Sequence, residues 1–205
     1  LDNVELTHPH ADHYSGLKYV FANIPVTNFY DTKMDNTGTS ADEALRATAS
    51  QKGFNVIYPR AGDAFSWGNA AVKVFNSCPE PVSSGDGNVI NDCSITLKVT
   101  YQNTSMLFTG DAEADVEATM ISKFGTDLKS DVLKVGHHGS AYSSSQPFLD
   151  AVQPKAAYIE VGHNNYGHPT PSTLNRLNAM GIKVYRTDQD GTQEYSSGSD
   201  EKAED

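Results

Sequence analysis

Cysteine is scarce in this 205-residue chain, basic residues are in the minority, and no long apolar run occurs. The two cysteines, Cys78 and Cys93, form neither a CxxC pair nor a disulfide framework, so redox compartment is left open. One pair in a domain of this size is not diagnostic, and two buried thiols are expected ahead of a disulfide. No stretch approaches the roughly 18 apolar residues of a membrane helix, so no membrane insertion by this chain is expected. No charged-then-apolar leader opens the chain as given. Lysine and arginine number 15 against 26 acids, a net charge of −11. Seven of those acids and a single lysine fall from Asp188 onward, which leaves the body at −5. Such a body offers no electrostatic footprint for non-specific nucleic-acid binding. What the chain does have is core material: 38% hydrophobic residues and 16 glycines, enough for one globular domain.

Short strand-like runs alternate with helical stretches. Val4 to Thr7 reads as a strand that ends in histidines, and Tyr14 to Asn23 as a helix closed by Pro25. Val26 to Tyr30 is a strand, and Ser40-Ala-Asp-Glu43 is a capping box opening a helix to about Lys52. Phe54 to Tyr58 and Ala71 to Phe75 are strands, Pro79 to Asn91 a loop, and Ile95 to Tyr101 with Ser105 to Thr109 a hairpin. Beyond it come helix 112–124, strand 132–135, helix 146–152, strand 156–161, a helix from the Pro169-Thr-Pro171 start to Met180, and strand 183–185. The pattern is α/β over residues 1–187, with 188–205 an acidic, disordered tail or linker.

Chemistry concentrates where strands end. His8-Pro-His10-Ala-Asp12-His13 puts four metal-type side chains within six residues, directly after a strand. Imidazoles with a carboxylate suit zinc, and also manganese or iron. Leu107-Phe-Thr-Gly-Asp111 and Val132-Leu-Lys-Val-Gly-His137-His138-Gly-Ser140 repeat the plan of strand, glycine, then ligand-type residue. Strand ends along one sheet edge converge, so these loops are expected at one place. Gly167-His168-Pro169 is a further candidate, whereas His163 reads as structural or exposed. Ser140 does not sit on a nucleophile elbow, which disfavours a serine hydrolase.

The residues from Leu6 to His13, followed by Gly16-Leu17, resemble the HxHxDH motif of the metallo-β-lactamase superfamily. Phe108-Thr-Gly-Asp111 is similar to its bridging-aspartate motif and Val135-Gly-His137 to its last metal histidine. Lys134-Val-Gly-His-His-Gly-Ser140, Asn165-Tyr-Gly-His-Pro169 and Tyr185-Arg-Thr-Asp188 resemble the branch that contains the extracellular domain of ComEC competence proteins and secreted phosphorylcholine-esterase-like enzymes. The resemblance implies an αββα sandwich with two divalent ions, zinc or manganese, at one edge. It would place His8, His10 and Asp111 on one ion, and Asp12, His13, Asp111 and His137 on the other. Asp12 would orient the attacking water, with His138, His168 and Ser140 aiding charge stabilisation or leaving-group protonation. The implied activity is metal-dependent hydrolysis of a phosphodiester or similar small substrate, as a phosphodiesterase or nuclease, in an extracellular or cell-surface setting. A thioester or lactone hydrolase and a non-catalytic binding domain of the same fold are the alternatives.

Two departures stand out. No histidine occurs between His13 and His137, where the family has another ligand; the matching stretch is Asn91-Asp92-Cys93-Ser94. The gap falls on the ion of His8, His10 and Asp111; His138 or Asp92 is expected to fill it, His138 ahead, with a retained water or a site for one ion only as the alternatives. The family also has strands before the histidine motif, so the sheet is expected to lack its N-terminal strands and to leave an edge exposed.

Overall fold

The computed structural model describes residues 1–78 and 87–197. In chain order, β1 is Asn3–Glu5, α1 Ala11–Asn23, β2 Asn28–Tyr30, α2 Ala41–Gln51 and β3 Asn55–Ile57. Next come β4 Ala64–Trp67, β5 Ala70–Asn76, α3 Gly87–Asp92, β6 Thr96–Tyr101 and β7 Thr104–Phe108. The remainder is α4 Ala114–Phe124, β8 Val132–Lys134, α5 Gln146–Val152, β9 Ala156–Ile159, α6 Pro171–Ala179, β10 Lys183–Arg186 and α7 Thr187–Asp190.

Alternation within the strands builds four layers. Val4, Phe29 and Val56 of the three-stranded parallel sheet β1-β2-β3 pack against Tyr14, Phe21 and Leu45 of α1 and α2. The seven-stranded sheet runs β10-β9-β8-β7-β6-β5-β4, antiparallel from β4 to β7 and parallel from β7 to β10. Leu107, Leu133, Ala157 and Ile159 on its outer face bury against Met120, Phe148, Leu149 and Leu177 of α4, α5 and α6. The two inner faces meet through Tyr30, which stacks on Phe65 at 5.3 Å and accepts a hydrogen bond from Trp67 Nε1 at 3.0 Å. The result is the αββα sandwich the resemblance implies. Three strands cover only part of a seven-stranded partner. The inner face beyond them, with Tyr158, Lys183 and Tyr185, lines a groove of about 1040 Å³.

Several expectations need correction. Cys78 and Cys93 are joined in a disulfide with Cα atoms 5.0 Å apart, not held as two thiols. The end of β5 docks on the end of α3, where Asn76 Nδ2 donates to the Asp92 and Ser94 carbonyls at 2.8 and 2.9 Å. That docking brings the sulfurs together, and spacing along the chain carries no trace of it. The loop expected over 79–91 ends in α3; residues 79–86 lie outside the described residues. Ile90 and Cys93 bury with Met34, so tertiary contact overrides the weak helix propensity of Gly87 and Asn88. β4 was not foreseen at all. Its Phe65 and Trp67 face inward and Ala64 and Ser66 outward, a four-residue alternation masked by the turns beside it.

The capping box at Ser40 does not form: the Ser40 side chain makes no cap bond, and Thr39 Oγ1 accepts from Ala41 N at 3.1 Å. α6 does start on its Thr-Pro signal, with Thr170 accepting from Thr173 N and Pro171 at the first turn. The segment read as a tail is described to residue 197. Its first residues complete α7, and the Tyr195 ring meets Tyr158 at 6.4 Å. Among the described residues no helix is long and apolar enough to cross a membrane.

Candidate metal centre

Three loops at the ends of β1, β7 and β8 form the site, each by a different local device. After β1 the chain turns at His8-Pro9 and enters α1 with His10 as its N-cap, so Asp12 and His13 ride on the first helical turn. After β7, Gly110 adopts φ 54° and swings Asp111 inward. A side chain there would meet Ser94 Cβ at 2.7 Å and Thr7 Cβ at 3.1 Å, so only glycine lets these segments close up. After β8, His137 and His138 both take left-handed conformations, φ 44° and 51°. Each such residue costs on the order of 1–3 kcal/mol and persists only when its surroundings over-determine it.

Those surroundings are visible. His137 Nδ1 pairs with Glu113 Oε1 at 3.1 Å, and His138 Nδ1 donates to the Glu160 carbonyl at 2.7 Å. His8 Nδ1 contacts Thr7 Oγ1 at 3.0 Å and Ser94 Oγ at 3.3 Å, while His13 Nδ1 contacts the same Thr7 hydroxyl at 3.2 Å. With every Nδ1 engaged behind, the four Nε2 atoms face forward. They surround one oxygen, Asp111 Oδ2, at 3.7 Å from His8, 3.3 Å from His13, 3.8 Å from His137 and 3.6 Å from His138. His10 Nδ1 lies 3.1 Å from His8 Nε2, and Asp12 Oδ2 lies 3.3 Å from His138 Nε2 and 3.7 Å from His13 Nε2.

These separations suit a divalent ion. Two ligands each about 2.0–2.2 Å from one ion stand roughly 3–3.5 Å apart. His13 Nε2, His138 Nε2 and Asp111 Oδ1 are buried without a hydrogen-bond partner, an arrangement that is costly for the chain alone. Among the described residues, donor atoms close enough to share an ion fall into two groups, His8–His13–Asp111 and Asp12–His13–His138, which share His13. Imidazoles backed by hydroxyl, carboxylate and carbonyl partners are the usual surroundings of metal-bound histidine. The residues present fit a divalent cation.

Electrostatics agree. Burial pushes His8 well below the usual imidazole range and lowers His10, so both favour the neutral, ligating form. Burial alone would raise the Asp111 carboxyl, yet the His13 ring at 3.3 Å and the Lys134 ammonium 4.0 Å away hold it far below the ordinary carboxylate range. Asp12 is lowered chiefly by the close approach of the His138 ring, 3.3 Å away. Burial works against a charged His138, but the carboxylates of Asp12 and Asp111 beside it outweigh burial and raise the imidazole.

His8, His10, Asp12, His13, Asp111, His137 and His138 are thus brought together, and the His168 ring stands 5.4 Å from that of His137. His138 groups with Asp12 and His13, on the side of the second ion, rather than with His8 and His10 where the gap was expected. Asp92 lies outside both donor groups. Ser140 makes framework contacts: its Oγ accepts from Tyr142 N and its carbonyl from Thr173 Oγ1. His163 is exposed, as expected. Sequence reasoning passed over Thr7, Ser94, Glu113 and Lys134. Only Lys134, a lone charge inside the apolar run Val132-Leu-Lys-Val135, carried a legible signal.

The model of the metallo-beta-lactamase superfamily matches residues 1–163. ComE operon protein 3 of Bacillus subtilis is 32% identical over 197 residues, which are 95% of this chain and 24% of that protein. Competence protein ComA of Neisseria gonorrhoeae is 42% identical over 109 residues, 53% of this chain and 16% of that protein. This chain therefore spans about a quarter or less of either relative. Among solved structures, CmlA, a diiron β-hydroxylase from Streptomyces venezuelae, superposes with a TM-score of 0.61 at 16% identity, over 92% of this chain and 44% of CmlA.

Proposed function

The chain belongs to the metallo-β-lactamase superfamily, in the branch of the competence proteins, and from this premise we propose that it is a phosphodiester hydrolase dependent on two divalent ions, zinc or manganese. The observation that carries the reading is Asp111 Oδ2, ringed by four imidazole Nε2 atoms at 3.3–3.8 Å. His8 and His10 would hold one ion, His13, Asp12, His137 and His138 the other, and Asp111 both. Bound there, the ions would activate a water near neutral pH and clamp the attacking and leaving oxygens of an in-line displacement.

The chain supplies the rest. Asp12, whose carboxylate is 62% exposed beside His138, orients the water by accepting its hydrogen bond. His168, kept neutral by burial and by the neighbouring His137, donates a hydrogen bond from its ring N–H to the leaving oxygen and transfers no proton to it. Nucleic-acid phosphodiesters fall within the proposed substrate class, although net charge gives a polyanion no long-range pull. The disulfide supports an extracellular or cell-surface setting.

The test strips metal with a chelator, reloads zinc or manganese, and follows bis(p-nitrophenyl) phosphate, a thioester and a lactone. Metal-restored phosphodiester turnover that His10→Ala abolishes is the expected result. Turnover of the thioester or lactone alone overturns the substrate class, and metal binding without any turnover overturns catalysis.

A further inference from the structure

From His137 a row of rings leads out of the cluster. His137 meets His168 edge-on at 5.4 Å, and His168 meets Tyr166 at 5.9 Å with a tilt of 32°. Tyr166 is 83% exposed, more than any other large apolar side chain among the described residues. An exposed tyrosine alone means little. The bonding that fixes its backbone means more. Asn164 Oδ1 accepts from both Tyr166 N and His168 N at 3.1 Å, while its Nδ2 donates to the Gly162 and His168 carbonyls at 2.9 and 2.8 Å.

The loop is also tied to the cluster. Thr170 N donates to the Gly139 carbonyl at 2.9 Å, and Pro169 lies so close to Gly139 that an added Cβ would stand 2.5 Å from the proline Cβ. The Tyr166 backbone is therefore set in position relative to the histidine pair. Pre-organisation of this kind lowers the entropy a bound ring must overcome.

We infer that Tyr166 is a stacking subsite for a planar ring carried by the substrate, on the outward side of His168. The inference rests on the phosphodiester reading for where the rest of the substrate lies. Spacing decides which face is used. A ring inserted between Tyr166 and His168 needs two van der Waals contacts of about 3.5 Å, or roughly 7 Å between centroids. The observed 5.9 Å is too short, so the ring seats on the open face of Tyr166. Stacking is tolerant of ring identity, so a nucleobase and an aryl ester share this chemistry. It also gives a net-acidic chain a way to hold its substrate without phosphate-binding cations.

The test is calorimetric binding to the metal-loaded chain of thymidine monophosphate, phenyl phosphate and 2-deoxyribose 5-phosphate. The first is expected to bind at least about fivefold tighter than the ring-less sugar phosphate. Tyr166→Ala should erase that preference and Tyr166→Phe should keep it. Preference for phenyl phosphate as well marks an unspecific planar-ring site, and preference for thymidine monophosphate alone marks a nucleobase site. Equal binding of all three, or a preference that survives Tyr166→Ala, overturns the stacking subsite. Sugar-phosphate binding that needs the metal leaves the phosphodiester reading standing in that event. A ring preference lost in Tyr166→Ala, with no metal dependence of the sugar phosphate, fails the phosphodiester reading instead. No binding by any of the three overturns both.

Discussion

Removing the Cys78–Cys93 bond should lower stability and loosen the metal centre at once, because the same segment does both jobs. The bond closes a loop across a sequence separation of 15. Loop-closure entropy for that size is worth about 3 kcal/mol. In a chain of this length each kcal/mol moves the melting temperature by about 2–4 °C, so a fall of roughly 6–12 °C is expected. Cys93 also adjoins Ser94, whose Oγ accepts from Asp111 N at 2.9 Å and touches His8 Nδ1 at 3.3 Å. Freed of the bond, Ser94 keeps its carbonyl tie to Asn76 but loses the covalent anchor one residue away. The assay is calorimetric melting of the metal-free protein with and without a phosphine reductant, with the Cys78→Ala/Cys93→Ala variant alongside. Thiol titration of the denatured, unreduced protein should find none free. If the double variant melts within about 2 °C of the parent, the loop-closure argument is refuted. If it melts low yet binds zinc as tightly, the link from Cys93 through Ser94 to the histidines is refuted.

Ser94→Ala should leave the buried Asp111 N–H unsatisfied, costing about 1–3 kcal/mol, and weaken metal affinity about 10- to 100-fold; equal affinity by competitive chelation would refute that outer role. His138→Ala should lose metal on elemental analysis while Asp92→Ala keeps the full complement, since only His138 joins a donor group. The reverse pattern would mean that the aspartate holds an ion. Glu5, partly buried as a residue but with Oε1 wholly buried and unpartnered, has its carboxyl pushed up to about 8 by desolvation. A raised carboxyl gives stability that is complete below the unfolded value of about 4.5 and is lost as pH climbs towards 8, at no more than about 1.4 kcal/mol per unit. Glu5→Gln should therefore match the parent in melts at pH 4.5 and exceed it at pH 8, and parallel curves would refute this. Duplex DNA should bind the chain more weakly than micromolar at physiological salt, and submicromolar binding would show that local contacts overcome the acidic charge.

Elements whose stability is local were legible. Thr170-Pro171 marks the start of α6 because cap and φ are set within one turn, and β9 alternates Ala157 and Ile159 into the helix side. Elements made by distant contact were not. β4 exists because Tyr30, 37 residues before Trp67, offers a ring and a hydroxyl to cover. α3 exists because Met34 and the disulfide bury its apolar side. Composition around Gly87 says loop, and nothing in that segment encodes Met34.

The site divides along the same line. Side chains that face Asp111 come from compact motifs at strand ends, because donor chemistry is written in residue type and spacing. The atoms behind them are another matter. Thr7, Ser94 and Glu113 are common residue types, and the carbonyl of Glu160 has no identity in sequence at all, yet these aim the four Nε2 atoms at one oxygen. The histidine pair shows why both levels are needed. Two left-handed histidines between glycines look like a loop to any propensity argument. They are tolerable only because Gly139 lets Pro169 close against the turn, and because Glu113 and Glu160 receive the Nδ1 atoms. Strain at His137 and His138 is thus the local cost of turning adjacent side chains, which ordinarily diverge, toward the same carboxylate.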